Sequence, residues 1–258
     1  MNRQAFFSAM LLLAAIVGLG RTAAAATPNG TVFMPFTVPS MPMPMIPRTA
    51  TAATPYGTVG PFHAGEAIPA LAQRLFDGDV SVRQAAVNAL GEMGPEAKAA
   101  IPALVQRLGD PDRYVASDAS LVLKNMKGDA VPSIVEALHY EDPRARELAL
   151  RTLRLIGPEA KAAVSAIAER LMDCDASVRQ AAVFALAEIG PEAKAAIPAL
   201  AQRLRDPDAY VASDASHTLG RFGPDAMPSL APLLQDADPK VRALALRTYM
   251  QIGSEALR

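Results

Sequence analysis

Few residues of this chain are of a type that could do metal or acid–base chemistry, and they are widely spaced. The three histidines are His63, His139 and His217. A metal site needs ligands that converge within about 2 Å of one ion, and the scattered histidines do not provide such a set. The motifs of serine hydrolases, zinc proteases, phosphate loops and dinucleotide-binding folds are also absent. We therefore expect no metal, no cofactor and no enzymatic activity.

Soft ligands are equally sparse. Cys174 is the single cysteine, which excludes a disulfide within the chain. It stands between two aspartates in a turn, where it would either link two chains by oxidation or simply replace another turn residue. Three methionines alternate with proline at residues 41–45 and could bind Cu(I) through their thioethers. An apolar linker is the favoured interpretation, because such sites usually recruit His or Cys as well.

The elements that must position these residues are internal repeats. The segment 94–104 recurs at 190–200 and the segment 114–120 recurs at 210–216. In both cases the offset is 96 residues, and a finer period of about 32 residues divides each block into three. The chain therefore contains six units, arranged as two copies of a three-unit block at 66–161 and 162–257.

Each unit reads as two helices joined by an acidic turn. In the second unit Ile101, Leu104 and Leu108 lie on one face of a first helix, and a second helix is expected at about 114–126. Pro102 either begins this first helix or kinks it. Neither helix buries its apolar face alone, so neighbouring units must stack. We predict an all-α fold, a right-handed α-α superhelix (α-solenoid) of about six helix pairs over residues 65–258.

The repeated pattern resembles HEAT repeats. It consists of an apolar helix, an Asp-Pro-Asp turn, Val-Arg, a helix of small residues and Gly-Pro-Glu-Ala. It is most similar to the HEAT-like class named after phycobilisome (PBS) lyase subunits. The resemblance implies a ladder in which the turn aspartate and the arginine tie successive units together. The matching arginines are Arg83, Arg146, Arg179 and Arg242, whereas Ala116 and Ala212 stand there in the second and fifth units.

Asp118 and Asp214 occupy equivalent positions, at which other units have Ala or Leu. As a pair of acids or metal ligands they would have to meet, yet three units separate them and each unit adds roughly 10 Å. We interpret each as a partly buried structural carboxylate, paired with an arginine of an adjacent unit.

The first 64 residues differ from the repeats. Residues 1–26 combine an early arginine, an apolar run and small residues, which predicts a signal peptide cleaved near Ala25 or Ala26. Residues 27–64 are rich in Pro, Met and Thr, and predict a disordered tether. We expect a secreted or periplasmic protein, with no membrane association beyond export.

The charge balance and the repeats together indicate the kind of partner. The net charge of −1 leaves no basic field to attract nucleic acid. In solenoids the concave face, lined by second helices, is the usual binding surface, and Phe and Arg are common anchors of protein recognition. The residues expected to bind a protein or peptide, called here the second-helix row, are Asn88, Leu121, Arg151, Phe184, His217, Arg221 and Arg247.

The favoured function is therefore a non-catalytic scaffold that binds a protein or peptide. One alternative is a lyase- or hydroxylase-like HEAT enzyme, or an accessory subunit of such an enzyme. HEAT-like hydroxylases hold iron through His-Glu pairs, and no His is followed by Glu here. The second alternative is a structural module of the cell envelope. Self-association through the ends of the solenoid is a further expectation, because an apolar end unit would stay uncovered.

Overall fold

The computed structural model describes residues 64–255, and the regular structure in that range is entirely helical. The α-helices are α1 Ala64–Arg74, α2 Val80–Met93, α3 Ile101–Gln106, α4 Arg113–Asn125, α5 Val131–Ala137, α6 Pro143–Ile156, α7 Val164–Arg170, α8 Ala176–Ile189, α9 Ile197–Gln202, α10 Ala209–Phe222, α11 Met227–Leu230 and α12 Pro239–Glu255. They form six pairs, so the predicted all-α solenoid is confirmed. The expected signal peptide, the tether and the methionines at 41–45 lie outside the described residues.

The acidic turns begin the second helices. Asp79, for example, accepts a hydrogen bond from the Ser81 amide at 2.8 Å and so satisfies a donor that the first turn of α2 leaves open. All six second helices start on an aspartate cap of this kind. These caps are Asp79, Asp112, Asp142, Asp175, Asp208 and Asp238.

Four of the second helices end at a glycine with a positive φ angle. Gly94 follows α2 with a φ of +59°, in the region that only glycine enters without strain. A 3₁₀ helix, Gly94–Ala100, then leads into α3, which begins at Ile101 with Pro102 in its first turn. The choice that the sequence left open is thus settled, because Pro102 starts the helix and does not kink it. The second unit departs from this pattern, since Lys127 adopts a φ of +53° in place of glycine.

The second helices pack against one another in chain order, and the first helices complete each layer. One fully or almost fully buried aliphatic residue per second helix continues the core from unit to unit. These residues are Leu90, Leu123, Leu153, Leu186, Leu219 and Ile252. Burying a side chain of this size contributes about 1.5–3 kcal/mol, so stacking stabilises units that could not fold singly. No helix of residues 64–255 is long and apolar enough to cross a membrane.

The predicted arginine–aspartate ladder is confirmed for Arg83, Arg146 and Arg179, whereas Arg242 forms no salt bridge with an aspartate of the described residues. The Arg83 guanidinium donates from Nε and Nη2 to the two Asp110 oxygens, at 2.8 and 3.0 Å, across the boundary between units 1 and 2. Its Nη1 donates to the Asp77 carbonyl at 2.9 Å and so closes the turn of its own unit. Two equivalent pairs join later units. They are Arg146 with Asp173 and Arg179 with Asp206.

The ladder shifts the acidity of its carboxylates. Burial raises the pKa of Asp110, but hydrogen bonds from Arg83 and from the Asp112 amide outweigh that effect and hold the pKa below its usual value. The same balance of causes lowers the pKa of Asp173 and of Asp206. These carboxylates are therefore charged at neutral pH, as a bidentate pair with arginine requires.

Two junctions lack a buried arginine–aspartate pair. Between units 2 and 3, Ala116 stands at the arginine position and Tyr140 at the aspartate position, while Ser120 and Thr152 share a buried hydrogen bond of 2.8 Å. Between units 5 and 6 the equivalent hydroxyls lie 2.6 Å apart, and Asp236 at the aspartate position pairs with Arg205, whose side chain is half exposed. Uncharged hydroxyl pairs thus occupy the two junctions at which the arginine is missing.

The interpretation of Asp118 and Asp214 was correct in burial and wrong in partner. Both carboxylates are partly buried, but they accept hydrogen bonds from Gln84 Nε2 at 2.5 Å and from Gln180 Nε2 at 2.7 Å. Each glutamine belongs to the second helix of the preceding unit. A neutral amide is sufficient here, because these carboxylates keep part of their contact with water.

Candidate protein-binding face

The second-helix row is placed on the surface, as expected. Six members are exposed: Asn88, Leu121, Arg151, His217, Arg221 and Arg247. Phe184 is half-buried. Every second helix carries at least one of these side chains, because α2, α4, α6, α8, α10 and α12 present equivalent positions to solvent. The row is therefore a continuous series of positions along stacked helices, and a depression interrupts it between α6 and α8.

That depression is a cleft of about 300 Å³ between α6 and α8, at the boundary between the two three-unit blocks. Two members of the second-helix row, Arg151 and Phe184, lie in it together. The other lining residues are Glu147, Arg154, Leu155, Ser177, Gln180 and Ala181. The cleft thus combines two guanidinium groups, one carboxylate, one aromatic ring and an exposed leucine.

Contacts inside the cleft hold its polar groups in place. Arg151 Nη2 lies 2.6 Å from Glu147 Oε1 along α6, and Ser177 Oγ donates to Glu147 Oε2 at 3.2 Å from α8. Arg154 lies over the Phe184 ring, with its guanidinium carbon 5.4 Å from the ring centre. One arginine is thus positioned by a carboxylate and the other by a ring, while both keep donors free for a ligand.

The remaining members of the row do not join this cleft. Arg221 lines a second depression of about 240 Å³ beside the Lys194–Asp225 ion pair. It also lies 3.6 Å from Glu188. Asn88, Leu121, His217 and Arg247 lie on other helices and line neither cleft.

Sequence reasoning missed Arg154 and Leu155. The available signal was a difference between the blocks, because Met250 and Gln251 stand at the equivalent positions of the second block. A difference of the same kind, Phe184 in the second block against Asn88 in the first, predicted Phe184. The differences at the end of α6 did not enter the prediction.

Metal ligands do not cluster in the part of the chain that the structure describes, where no group of three or more His, Cys, Asp or Glu could hold an ion. Cys174 is exposed in its turn and lies 3.8 Å from Arg146 Nη2. This exposure tests neither interpretation of Cys174, the turn substitution or the link between two chains.

Comparison with protein families gives two matches. The family described as HEAT repeats matches residues 50–124, 101–187 and 197–258, which is most of the chain. The PBS lyase HEAT-like repeat matches residues 178–206, in units 4 and 5. No curated protein matches the chain.

Several solved structures are similar to it. An engineered protein is 24% identical, with 73% of this chain and 97% of that chain covered and a TM-score of 0.44. The complex of CpcE and CpcF of phycocyanin lyase from Nostoc is 25% identical, with 58% and 98% covered and a TM-score of 0.47. Computationally designed armadillo repeat proteins for modular peptide recognition are 19% identical, with 71% and 99% covered and a TM-score of 0.45.

One expectation needs correction. The absence of catalytic motifs suggested that the protein is not an enzyme, but the PBS lyase HEAT-like match at residues 178–206 contradicts this and points to a lyase-related protein, either an enzyme or an accessory subunit. The physical reason is that short motifs report nucleophiles, phosphate loops and metal sites. They do not report chemistry that is carried out on a helical-repeat surface.

Proposed function

The chain belongs to the HEAT repeat proteins, and from this premise we propose that it binds another protein or an extended peptide on the second-helix row, with most of the affinity supplied by Arg151 and Phe184. The observation that carries the proposal is the cleft between α6 and α8, where Arg151 and Phe184 meet. Aromatic and arginine side chains are the commonest anchors of protein recognition.

The chemistry of the cleft favours a particular kind of segment. Arg151 and Arg154 carry two positive charges against the single negative charge of Glu147, so the lining is net positive. Arg151 can offer donors to a carboxylate in a fork geometry. Phe184 and Leu155 supply apolar area beside it. The segment that fits best places an acidic side chain next to an aromatic or aliphatic one.

A selection from a random peptide library displayed on phage, with the full chain immobilised, tests this proposal. We expect enrichment of peptides that place Asp or Glu beside Phe, Tyr, Trp or Leu. The double variant Arg151→Ala with Phe184→Ala should lose their binding by tenfold or more, since truncated anchors of this kind cost about 2 kcal/mol each.

The chain supplies its own matched control. Arg247 and Asn88 occupy the positions equivalent to Arg151 and Phe184 in the other block but lie outside the cleft. The variant Arg247→Ala with Asn88→Ala should keep the affinity of the wild type. Equal loss in both variants, or no enrichment at all, would refute the assignment of the cleft.

We also propose that the protein acts outside the cytoplasm. Support comes from the apolar run and the small residues of segment 1–26. Mass spectrometry of the protein from its native host should find a mature amino terminus near Thr27. A terminus at Met1 in the cell interior would contradict export.

A second candidate is a lyase-related function, favoured by the PBS lyase HEAT-like match at residues 178–206. In that case the second-helix row would hold a chromophore-bearing partner for attachment or detachment of the pigment. Incubation with a linear tetrapyrrole and candidate acceptor proteins, followed by absorption spectroscopy of the protein fraction, tests it. A covalent pigment band that needs this chain would support the lyase assignment, and identical spectra without the chain would refute it.

A further inference from the structure

The outer face of the last unit carries residues that interior units bury. Leu246 of α12 is 51% exposed, whereas Leu150, its equivalent in the first block, is 0% exposed. Arg242 is exposed, whereas its equivalent Arg146 is buried against Asp173 of the next unit. Within residues 64–255 no carboxylate forms a salt bridge with Arg242. The last unit therefore exposes the surface that is equivalent to the surface of unit 3 packed against unit 4.

The first unit presents the complementary surface. Asp77 stands at the acceptor position of the ladder. It is exposed, and no arginine or lysine of the described range forms a salt bridge with its carboxylate. Ala85 is likewise exposed, while its equivalent Ala181 is 6% exposed and packed in the core. Unit 1 is equivalent to unit 4 in the duplication. Its exposed surface therefore corresponds to the surface of unit 4 that packs against unit 3.

Both charged groups are already oriented as they are in an interior junction. Arg242 Nη1 donates to the carbonyls of Asp236 and Ala237 at 2.8 and 2.9 Å, as Arg146 Nη1 donates to two turn carbonyls at 2.8 Å each. Asp77 Oδ1 accepts from the Asp79 amide at 2.9 Å. Asp110 makes the same contact within an interior junction, also at 2.9 Å. Little side-chain ordering is left for the two groups to undergo on pairing.

From these features we infer that a second copy of this chain docks head to tail, with α12 of one copy against α1 and α2 of the next. Arg242 of one copy pairs with Asp77 of the other, and the new boundary repeats the boundary between units 3 and 4. A head-to-tail contact uses two different surfaces, so it produces rings or open filaments and not a closed symmetric dimer.

Sedimentation velocity of the full chain over about a hundredfold range of concentration tests this interface. The wild type should sediment faster as its concentration rises. Arg242→Glu and Asp77→Arg should each weaken association by about tenfold or more, because each places like charges opposite one another. Both positions are exposed, so each variant should still fold although it loses hydrogen bonds within a turn, and far-UV circular dichroism verifies this.

Mixing the two variants separates this interface from any other. Each variant alone has one intact end and one reversed end, but in the mixture every junction again joins opposite charges, so association should return. Lys240→Glu is the matched control, with the same charge change on α12 at a position whose equivalent, Arg144, stays exposed inside the chain. A monomeric wild type, unaffected single variants, or a mixture that stays dissociated would each overturn the inference.

Discussion

Each of the three buried arginines of the ladder binds two groups, the carboxylate of the next unit and a backbone carbonyl of its own turn. These two contacts distinguish it from an ordinary surface charge. Arg179 donates to both oxygens of Asp206 at 2.8 Å and also to the carbonyl of Asp173 in its own turn. Because Asp206 is buried, removing its charge leaves a guanidinium without its partner in a poorly hydrated place. The pair therefore affects stability mainly through the free energy of unfolding that is lost when one partner is removed.

We expect Asp206→Asn to lower the free energy of unfolding by about 2–4 kcal/mol at pH 7, as measured by urea denaturation. Asp225→Asn is the control, because its ion pair with Lys194 is half exposed and such pairs contribute about 0.5 kcal/mol. Similar losses in the two variants would show that the buried pair has no special role.

The same variant should reveal a pH dependence. The pKa of Asp206 is lowered by the hydrogen bonds from Arg179 despite the opposing effect of burial. A lowered pKa stabilises the fold above the ordinary aspartate value of about 3.9. That contribution is lost as pH falls through the lower, folded-state pKa. The difference in stability between wild type and Asp206→Asn should thus be constant from pH 7 to about 5 and shrink below pH 4.

At the scale of elements, the termini of the second helices decide how one unit passes into the next. Gly223 ends α10 with a φ of +63°, and Lys127 makes the equivalent turn after α4 with a φ of +53°. A residue with a Cβ atom is strained by about 1–2 kcal/mol in this conformation. The two copies of the duplicated block therefore make the same turn, one with glycine and the other with lysine.

Exchanging these residues should change stability in opposite directions. Lys127→Gly should raise the free energy of unfolding by about 0.5–1 kcal/mol, since relief of strain exceeds the added freedom of the unfolded chain. Gly223→Ala should lower it by about 1–2 kcal/mol. Thermal unfolding followed by circular dichroism measures both. A destabilised Lys127→Gly would mean that its exposed contact with Glu159 at 3.5 Å outweighs the strain.

Local elements were predictable from the sequence, but contacts that depend on the spacing between units were less so. The Asp-Pro-Asp turns and the arginine positions recur within one unit, so the caps and the ladder could be predicted. The partner of Asp118 lies 34 residues earlier, on another helix, and a rule that pairs acids with cations missed Gln84. The cleft around Phe184 likewise depends on the separation of α6 and α8, which periodicity does not specify.

At the scale of the whole molecule, each unit contacts its neighbours and stability is close to a sum over units and junctions. The helix α8 is packed between α6 and α10, whereas the last helix leaves Leu246 and Met250 exposed. Local opening should therefore be easiest at the end of the stack.

Hydrogen exchange followed by mass spectrometry measures this gradient. At low protein concentration, where chains stay separate, amides of α12 should exchange about tenfold or more faster than amides of α8. Uniform protection along residues 64–255 would show that the six units open as a single cooperative body.

The junction between units 2 and 3 has the hydroxyl pair Ser120–Thr152 and no aspartate at the ladder position. The junction between units 5 and 6 has the pair Ser216–Thr248 and also the Arg205–Asp236 ion pair. A junction with a buried arginine–aspartate pair loses its ion pair once the carboxylate is protonated. In acid the stack should therefore separate at the junctions that carry such a carboxylate, and units 2 and 3 should stay together longest. The tandem duplication has thus kept the fold but not the acid sensitivity of this junction, because Asp236 stands where the first block has Tyr140.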